Sequence, residues 1–307
     1  ISPKLKLQEE YITLAESALN LTEIEVEREV KRAWGNAYAT WNNYRVYNGL
    51  DSIFADIKRA AELRLETQAS SRLEYLATIN EANQVQIQKE QAWHDYLAAL
   101  QKLNAWFAGD TLYTVSKVPV STLENSADLI SNTAGVHPIL NFARQRINVA
   151  DATIREQKSQ FLPKLSGGYN KQKVGGESGF YSYQVGIRIP LVFGPELGRV
   201  QSARIEREIA GQNLMQTQLE FNSFLGSTRE EFFKWLNSWN YYRDEALPLA
   251  REQRQGAITA YNEGAINYVA FLQNIRDAVQ IEVDSWNAFG SYLDSRFQLE
   301  YYLKTSN

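Results

Sequence analysis

The sequence predicts a mainly α protein in which very long antiparallel helical hairpins are internally duplicated and one β-hairpin is inserted. The pentapeptide WNNYR at residues 41–45 returns as WNYYR at residues 239–243, 198 positions later. Apolar residues recur at intervals of three and four along most of the chain, which is typical of helices. Only residues 181–189 alternate strictly between apolar and polar types, which indicates a strand.

Residues 1–107 are predicted to form the first copy, as a long helix, a tip turn and a returning helix. No proline lies between Lys4 and Arg64, and about 55 helical residues would reach roughly 80 Å at ~1.5 Å per residue. The polar stretch ETQASS at residues 66–71 predicts the turn. The returning helix is expected to run from Ser71 to Phe107, where Gly109 stops it.

The rest of the chain divides into four further segments. Residues 108–136 lack periodicity and are predicted to be a mixed connector with a short strand at residues 112–115. Residues 137–160 predict a helix with Pro138 in its first turn. Residues 161–194 predict a β-hairpin through the tip GGESGF, and residues 195–307 the second helical copy, with one helix over 197–257 and a break at YNEGAIN.

The two copies match residue by residue around their predicted tips. At a spacing of 196, eight residues coincide in type: Ala69, Leu76, Ile79, Ala82, Ala92, Tyr96, Leu97 and Leu103 fall on Ala265, Leu272, Ile275, Ala278, Ala288, Tyr292, Leu293 and Leu299. The pentapeptides need a spacing of 198, so the second copy is two residues shorter before its tip. A repeat this long indicates duplication of one supersecondary element and not a solenoid.

Composition excludes several functions. The absence of Cys removes disulfides, thiolate metal sites and Cys nucleophiles, and a net charge of −4 with interspersed signs gives no footprint for nucleic acid. His94 and His137 belong to no metal-binding motif, and Met215 is the one methionine. The sequence therefore predicts no catalytic, cofactor-binding or metal-binding residue, and no enzyme.

Two stretches resemble the second-repeat signature of the outer membrane efflux proteins, the TolC family. The first runs from HPIL through IREQKSQFLPKLSGGY, and the second is YSYQVGIRIPLVFGPELGR. The residues that carry the resemblance are Phe161, Leu162, Pro163, Leu165, Pro190, Leu191, Phe193 and Gly194. The ordered series of elements covers almost the whole chain.

The resemblance implies a TolC-like α-barrel with part of a β-barrel. It implies a homotrimer in the outer membrane of a Gram-negative bacterium, with a large periplasmic portion. The implied function is a passive exit duct for small molecules or metal cations, working with a periplasmic adaptor (membrane fusion) protein and an inner-membrane resistance-nodulation-division (RND) pump. Within the family, the sequence looks closest to the heavy-metal (CusC/CzcC-like) branch.

The resemblance also places the tips and a membrane strand. The family's tip form YxxGxxxxxxxL fits Tyr261, Gly264 and Leu272, whereas Gln68 replaces the glycine in the first copy. Adaptor docking and gating are expected at Gln68, Ala69, Leu76, Tyr261, Gly264, Ala265 and Leu272. Glu66, Glu74 and Glu263 are expected either to form a charged constriction or to be solvated surface carboxylates.

Residues of the period-two strand are expected to face lipid, namely Tyr181, Tyr183, Val185, Ile187 and Ile189. The alternative is an ordinary amphipathic hairpin packed on a soluble core. Each protomer of the family supplies four strands, and only two are expected here. The chain is therefore expected to be truncated, processed or part of a larger polypeptide, because unpaired strand edges are not tolerated in hydrocarbon.

Two other classes of function compete with the duct. A soluble coiled-coil scaffold would bind partner helices along its aromatic face, and a helical-bundle metalloenzyme would hold stoichiometric metal. The aromatic residues at helical spacing are expected to fill grooves between helices; they are Trp34, Trp41, Tyr44, Trp235, Trp239 and Tyr242.

Overall fold

The computed structural model describes residues 2–68, 70–109, 111–115, 136–175, 177–189 and 194–305. Seven helical stretches and two strands follow one another along these residues: α1 (Pro3–Glu66), α2 (Arg72–Asn104), α3 (Pro138–Ser159), β1 (Lys164–Val174), β2 (Glu177–Arg188), α4 (Gly194–Tyr241), a π-helical turn (Tyr242–Ala246), α5 (Leu247–Asn262) and α6 (Tyr268–Leu303). The mainly α class with a single two-stranded antiparallel hairpin is confirmed.

Local signals in the sequence begin these helices where expected. The Ser71 hydroxyl accepts a hydrogen bond from the backbone N–H of Glu74 at 3.1 Å, which caps α2. His137 caps α3 through Nδ1, which accepts from the backbone N–H of Ile139 at 3.1 Å. Pro138 then occupies the first turn, where its missing N–H leaves no intrahelical bond unmade.

The predicted strand at residues 112–115 is wrong, because residues 111–115 have no regular secondary structure. The Asn104 side chain explains this. Its Nδ2 donates to the Tyr113 carbonyl at 3.0 Å, and its Oδ1 accepts from the Tyr113 N–H at 2.7 Å. These two bonds satisfy the N–H and C=O of Tyr113, which a neighbouring strand would otherwise bond. The rest of the predicted connector, residues 116–135, lies outside the described residues.

The continuous helix predicted over residues 197–257 is also corrected, because a π-helical turn at Tyr242–Ala246 interrupts it. Pro248 lies just after this turn, at the start of α5. Proline has no N–H to donate to the carbonyl four residues earlier, and its ring would clash with that carbonyl. A π turn widens the helix at this point, and so it accommodates the proline without ending the rod.

The chain divides into two compact units, each of which combines distant stretches of sequence. The first contains residues 1–23, 134–222 and 304–307, and the second contains residues 24–133 and 223–303. The predicted division into five consecutive segments remains a prediction.

In the first unit, α3 is bonded to both α1 and α4. Gln145 of α3 donates through Nε2 to the Glu10 carboxylate of α1 at 2.8 Å. Asp151 of α3 accepts from Nε of Arg207 in α4 at 3.3 Å. These contacts lie on different sides of α3, so this helix lies between the other two.

In the second unit, α6 forms most of the core. Its buried residues join two apolar clusters, one around Phe54, Val85, Phe271 and Ile275 and the other around Phe232, Trp239, Phe289 and Tyr292. The expectation that aromatic residues fill interhelical grooves is confirmed for Trp239 and Trp41: their rings lie 4.5 Å from Phe289 and 4.9 Å from Tyr96. Among the described residues, no helix has an 18-residue stretch apolar enough to cross a membrane.

Candidate functional site

The β-hairpin presents one apolar and one polar face. The strand register places Leu165 opposite Ile187 and Tyr169 opposite Tyr183, with Val185 between them on β2. Side chains alternate across a strand, so these residues share a face. Gln184 and Ser182 lie on the opposite face, next to Gly168 and Asn170 of β1. The Tyr169 ring lies 5.4 Å from that of Tyr183, which makes a cross-strand aromatic pair on the apolar face.

The apolar face is not covered by any described part of the chain. Val185 is 80% exposed and Ile187 is 68% exposed. Tyr181 and Tyr183 are exposed beside them, and Ile189 is exposed immediately after the strand ends. A hairpin packed on a soluble core would bury these side chains. A contiguous uncovered apolar surface of this kind marks contact with a membrane or another protein.

The two tip turns each contain one residue with a left-handed backbone, although their sequences differ. In the second tip, the Ala265 N–H donates to the Ala260 carbonyl at 2.8 Å and the Gly264 N–H to the Tyr261 carbonyl at 3.1 Å. This pair of bonds is the Schellman motif, which closes a helix through one left-handed residue. Gly264 is that residue, with φ of 75°.

Gln68 takes the corresponding position of the first tip, with φ of 57°. Its N–H donates to the Leu65 carbonyl at 3.1 Å, which reproduces the bond made by Gly264. The helices that follow are capped alike, by Ser71 in the first copy and by Asn267, which accepts from the Ala270 N–H at 2.9 Å, in the second. Gln68 therefore takes the left-handed conformation and makes the bond of this position without being glycine.

Tyr261 links the two copies at the tips. Nη1 of Arg64 donates to the Tyr261 hydroxyl at 3.2 Å, and this hydroxyl lies 3.4 Å from Oε1 of Glu74, to which it donates. The Tyr261 ring stacks on Phe271 at 4.6 Å. Burial, together with the nearby Glu74 carboxylate, raises the pKa of Tyr261. The phenol therefore keeps its proton and remains a donor to Glu74.

A second link between the copies was missed by the sequence analysis. Arg276 of α6 makes a two-pronged ion pair with Glu81 of α2, in which Nε lies 2.8 Å from Oε1 and Nη2 contacts Oε2. Glu81 is buried, and its hydrogen bond raises the pKa of Arg276. No motif contains either residue. Glu81 lies in the first third of α2, far from Arg276 in the sequence, and no signal in the sequence could have paired the two.

The structure places the other predicted tip residues as follows. Leu272 is half-buried against the core cluster, whereas Leu76 is exposed. Ala265 closes the second tip through its N–H, and Ala69 lies outside the described residues. Glu66 and Glu263 are exposed, and only Glu74 of the three candidate carboxylates joins the Tyr261 contacts. Adaptor docking, gating and constriction at these residues remain predictions.

Within the described ranges, no three His, Asp or Glu side chains come close enough together to hold a metal ion.

Solved structures of outer-membrane channels share this fold. No protein-family model matches the sequence, and no curated protein matches it. The CmeC outer membrane channel of Campylobacter jejuni superposes with a TM-score of 0.81 at 14% identity, over 98% of this chain and 67% of CmeC. The chain has the fold of these channels. CusC superposes with a TM-score of 0.78 at 15% identity, over 98% of this chain and 73% of CusC.

The outer membrane protein VceC of Vibrio cholerae gives a TM-score of 0.72 at 13% identity, over 98% of this chain and 75% of VceC. Identities this low show the fold alone. CmeC and CusC match about equally well, so the comparison does not favour the heavy-metal branch.

Proposed function

We propose that the chain is part of a TolC-family outer-membrane channel, the passive exit duct of a tripartite efflux system. The observation that carries this proposal is the uncovered apolar face of the hairpin, in which Val185 is 80% exposed and Ile187 is 68% exposed. Burying apolar surface is favourable by about 25 cal/mol per Å², so such a face is stable against acyl chains and costly in water. The shared fold supports the same function.

The hairpin further favours assembly of the protein from several subunits. A two-stranded sheet has two edges with unpaired N–H and C=O groups, and hydrocarbon offers these groups no partner. Strands from other subunits or from elsewhere in the polypeptide satisfy them when the sheet closes into a barrel. We propose a homotrimer in the outer membrane of a Gram-negative bacterium, with a large periplasmic helical portion.

The proposed mechanism is geometric and needs no catalytic group. Helical hairpins from three copies enclose a water-filled passage, and a periplasmic adaptor docks near the tip turns. The contacts of Tyr261 with Arg64 and Glu74 hold the two tips together in the closed state. Docking of the adaptor separates them, and an inner-membrane RND pump supplies the energy.

For the cargo, we propose passage without chelation. One Met and no Cys leave few soft ligands for a transition metal, so a metal cation would cross the duct hydrated. Neither a hydrated metal cation nor a small organic molecule would then require metal-binding side chains along the passage. The resemblance implies export of heavy metals, which remains a hypothesis. An export assay in the natural host would test it.

The experiment that tests the proposed function compares two arginine variants after separation of outer membrane from soluble protein. Val185→Arg places a charge on the apolar face, where a midplane arginine costs about 2–4 kcal/mol in a lipid-facing strand. Gln184→Arg places the same charge at the adjacent position, which lies on the polar face. The unmodified protein and Gln184→Arg should fractionate with outer membrane, whereas Val185→Arg should be depleted from it. Recovery of the unmodified protein with soluble material would instead support the coiled-coil scaffold.

A further inference from the structure

The polar face of the β-hairpin carries two positive charges at its base, where the strands connect to helices. Lys164 begins β1 and lies directly opposite Arg188, the last residue of β2. Side chains alternate across a strand, so both lie on the same face as Gln184 and away from Val185. Both are exposed. Like charges directly opposite each other destabilise a strand pair, so this pair, called the basal pair below, does not serve the stability of the hairpin.

No described carboxylate neutralises the basal pair. Nζ of Lys164 donates to Oε1 of Gln160, which belongs to a neutral amide. The carboxylate of Glu156, one helical turn before Gln160, accepts from the side chains of Gln157 and Gln160 and not from Lys164. Neither Lys164 nor Arg188 forms an ion pair within the part of the chain that the structure describes. The basal pair therefore keeps its full positive charge.

The rest of the polar face adds no negative charge. From the basal pair toward the tip, the paired positions are Ser166 with Gly186, Gly168 with Gln184 and Asn170 with Ser182. Residues 164–188 contain four Lys or Arg and one Glu, whereas the whole chain has a net charge of −4. The glutamate is Glu177, at the opposite end of β2 from Arg188. The hairpin is thus a positive segment of a negative chain.

Small neighbours leave the basal pair open to a ligand. On the tip side, its neighbours on the polar face are Ser166 and Gly186. The Ser166 hydroxyl donates to the Gly186 carbonyl at 3.2 Å, which keeps it close to the strand, and Gly186 has no side chain. The two cations are therefore accessible from the space in front of the polar face.

We propose that the basal pair attracts anions into the passage and favours anionic cargo, such as an organic molecule with a carboxylate or phosphate group. This inference rests on the proposed function, because the polar face lines the passage only if the apolar face contacts lipid. In a homotrimer, two charges from each of three copies place six positive charges around the passage. Rings of Lys and Arg are characteristic of pores for anions and phosphates. A hydrated metal cation would be repelled at this level.

The test measures the ion selectivity of the full natural protein in planar lipid bilayers. In a KCl gradient with a dilute side of about 0.1 M, where the Debye length is about 10 Å, the reversal potential gives the ratio of Cl⁻ to K⁺ permeability. The double variant Lys164→Gln, Arg188→Gln should lower this ratio at least about twofold. Arg188→Lys keeps the charge and should keep the ratio. At about 1 M salt the Debye length is about 3 Å, so the difference should largely disappear.

The control is Lys171→Gln, which removes the same charge from the apolar face of the same hairpin, where Lys171 lies opposite Tyr181. This variant should keep the ratio of the unmodified protein. All the variants have the same tips, so a change in the ratio reports on the hairpin. Should the double variant form no channels, Arg188→Gln alone should still lower the ratio, by a smaller factor.

Two results would overturn the proposal. One is a ratio that the loss of the basal pair leaves unchanged, which would mean that carboxylates elsewhere neutralise the pair. The other is an equal change in Lys171→Gln. Channels whose selectivity is independent of the basal pair contradict this inference alone, whereas failure of the unmodified protein to form channels contradicts the proposed function itself.

Discussion

Gln68 and Gly264 occupy equivalent places in the two tip turns, 196 residues apart, and both have a left-handed backbone, with φ of 57° and 75°. The left-handed region costs a residue with a Cβ about 1–2 kcal/mol, whereas glycine adopts it freely. The first tip therefore stores backbone strain that the second avoids. The bonds of the turn and the cap at Ser71 hold Gln68 in this conformation.

Exchanging the residue types at these two positions should have opposite effects on stability. We expect Gln68→Gly to raise the free energy of unfolding by up to about 1 kcal/mol, because the strain relieved exceeds the added entropy of the unfolded chain. Gly264→Ala should lower it by about 1–2 kcal/mol. Urea unfolding followed by circular dichroism measures both. If Gln68→Gly instead lowers the free energy of unfolding, the glutamine side chain stabilises the turn by more than the left-handed backbone destabilises it.

Helices α1 and α6 approach closely at Gly290. A Cβ placed on Gly290 would lie 2.9 Å from the Cβ of Ala39, which cannot swing aside. We expect Gly290→Ala to lower the free energy of unfolding by about 1–3 kcal/mol, as other overpacked cores do. Gly256→Ala is the matched control, because nothing lies within 4 Å of the added Cβ in helix α5. That variant should gain up to about 1 kcal/mol from helix propensity. Equal effects of the two would refute close packing at Gly290.

The ion pair between Arg276 and Glu81 should contribute more to stability than an exposed pair. Arg276→Ala leaves the buried Glu81 carboxylate without its partner. The Arg276 side chain is half exposed, so the free energy of unfolding should fall by about 2 kcal/mol. This lies between the losses expected for a surface pair and for a fully buried pair. Arg59→Ala removes an exposed pair with Asp56 and should cost about 0.5 kcal/mol or less. Thermal or urea unfolding compares the two, and similar losses would contradict a special role for Arg276.

Under the proposed function, Tyr261→Phe should loosen the closed tips. Phenylalanine keeps the stacking on Phe271 but removes the hydroxyl that joins Arg64 and Glu74. Hydrogen bonds to charged groups contribute about 1.5–3 kcal/mol each, so a several-fold rise in permeability is expected. Entry of a large fluorescent dye into cells that carry the variant measures this. Tyr11→Phe, which removes an exposed hydroxyl from α1, is the control. Equal dye entry in the two variants would exclude Tyr261 from closure.

Stability should fall at alkaline pH in part because of Tyr301. Burial raises the pKa of Tyr301 to about 12, and the Arg28 guanidinium lies 4.3 Å from its ring centre. The unfolded phenol has a pKa of about 10, so the native state holds this proton more tightly. Its contribution is complete below about pH 10 and is lost as the pH rises toward 12, at up to about 1.4 kcal/mol per pH unit.

Tyr301→Phe should therefore flatten the fall in the free energy of unfolding above pH 10. Urea titrations at pH 9, 10 and 11 give the slope for each protein. If the free energy of unfolding falls with pH equally steeply in the variant and in the unmodified protein, Tyr301 does not contribute to the loss of stability at alkaline pH.

The sequence by itself determined the elements whose signals are local. Apolar residues at intervals of three and four located α1, α2, α3 and α6, and alternation over residues 181–189 located β2. Both patterns are formed by residues that are close together in the sequence, so they can be read without the fold. The repeat located the tips, since a turn and its cap are formed by adjacent residues. Periodicity failed at two places: at residues 112–115, where the Asn104 side chain bonds to Tyr113, and at residues 242–246, where a π turn precedes Pro248.

Only the tertiary structure decided which faces are covered. Leu5 and Ala203 stand at equivalent places of related helices, yet one is exposed and the other is buried, because α3 covers only one of them. The ion pair of Glu81 with Arg276 joins residues 195 positions apart, which no local pattern relates. Burial and long-range pairing depend on what the fold brings alongside a helix, and periodicity reports only that a face is apolar.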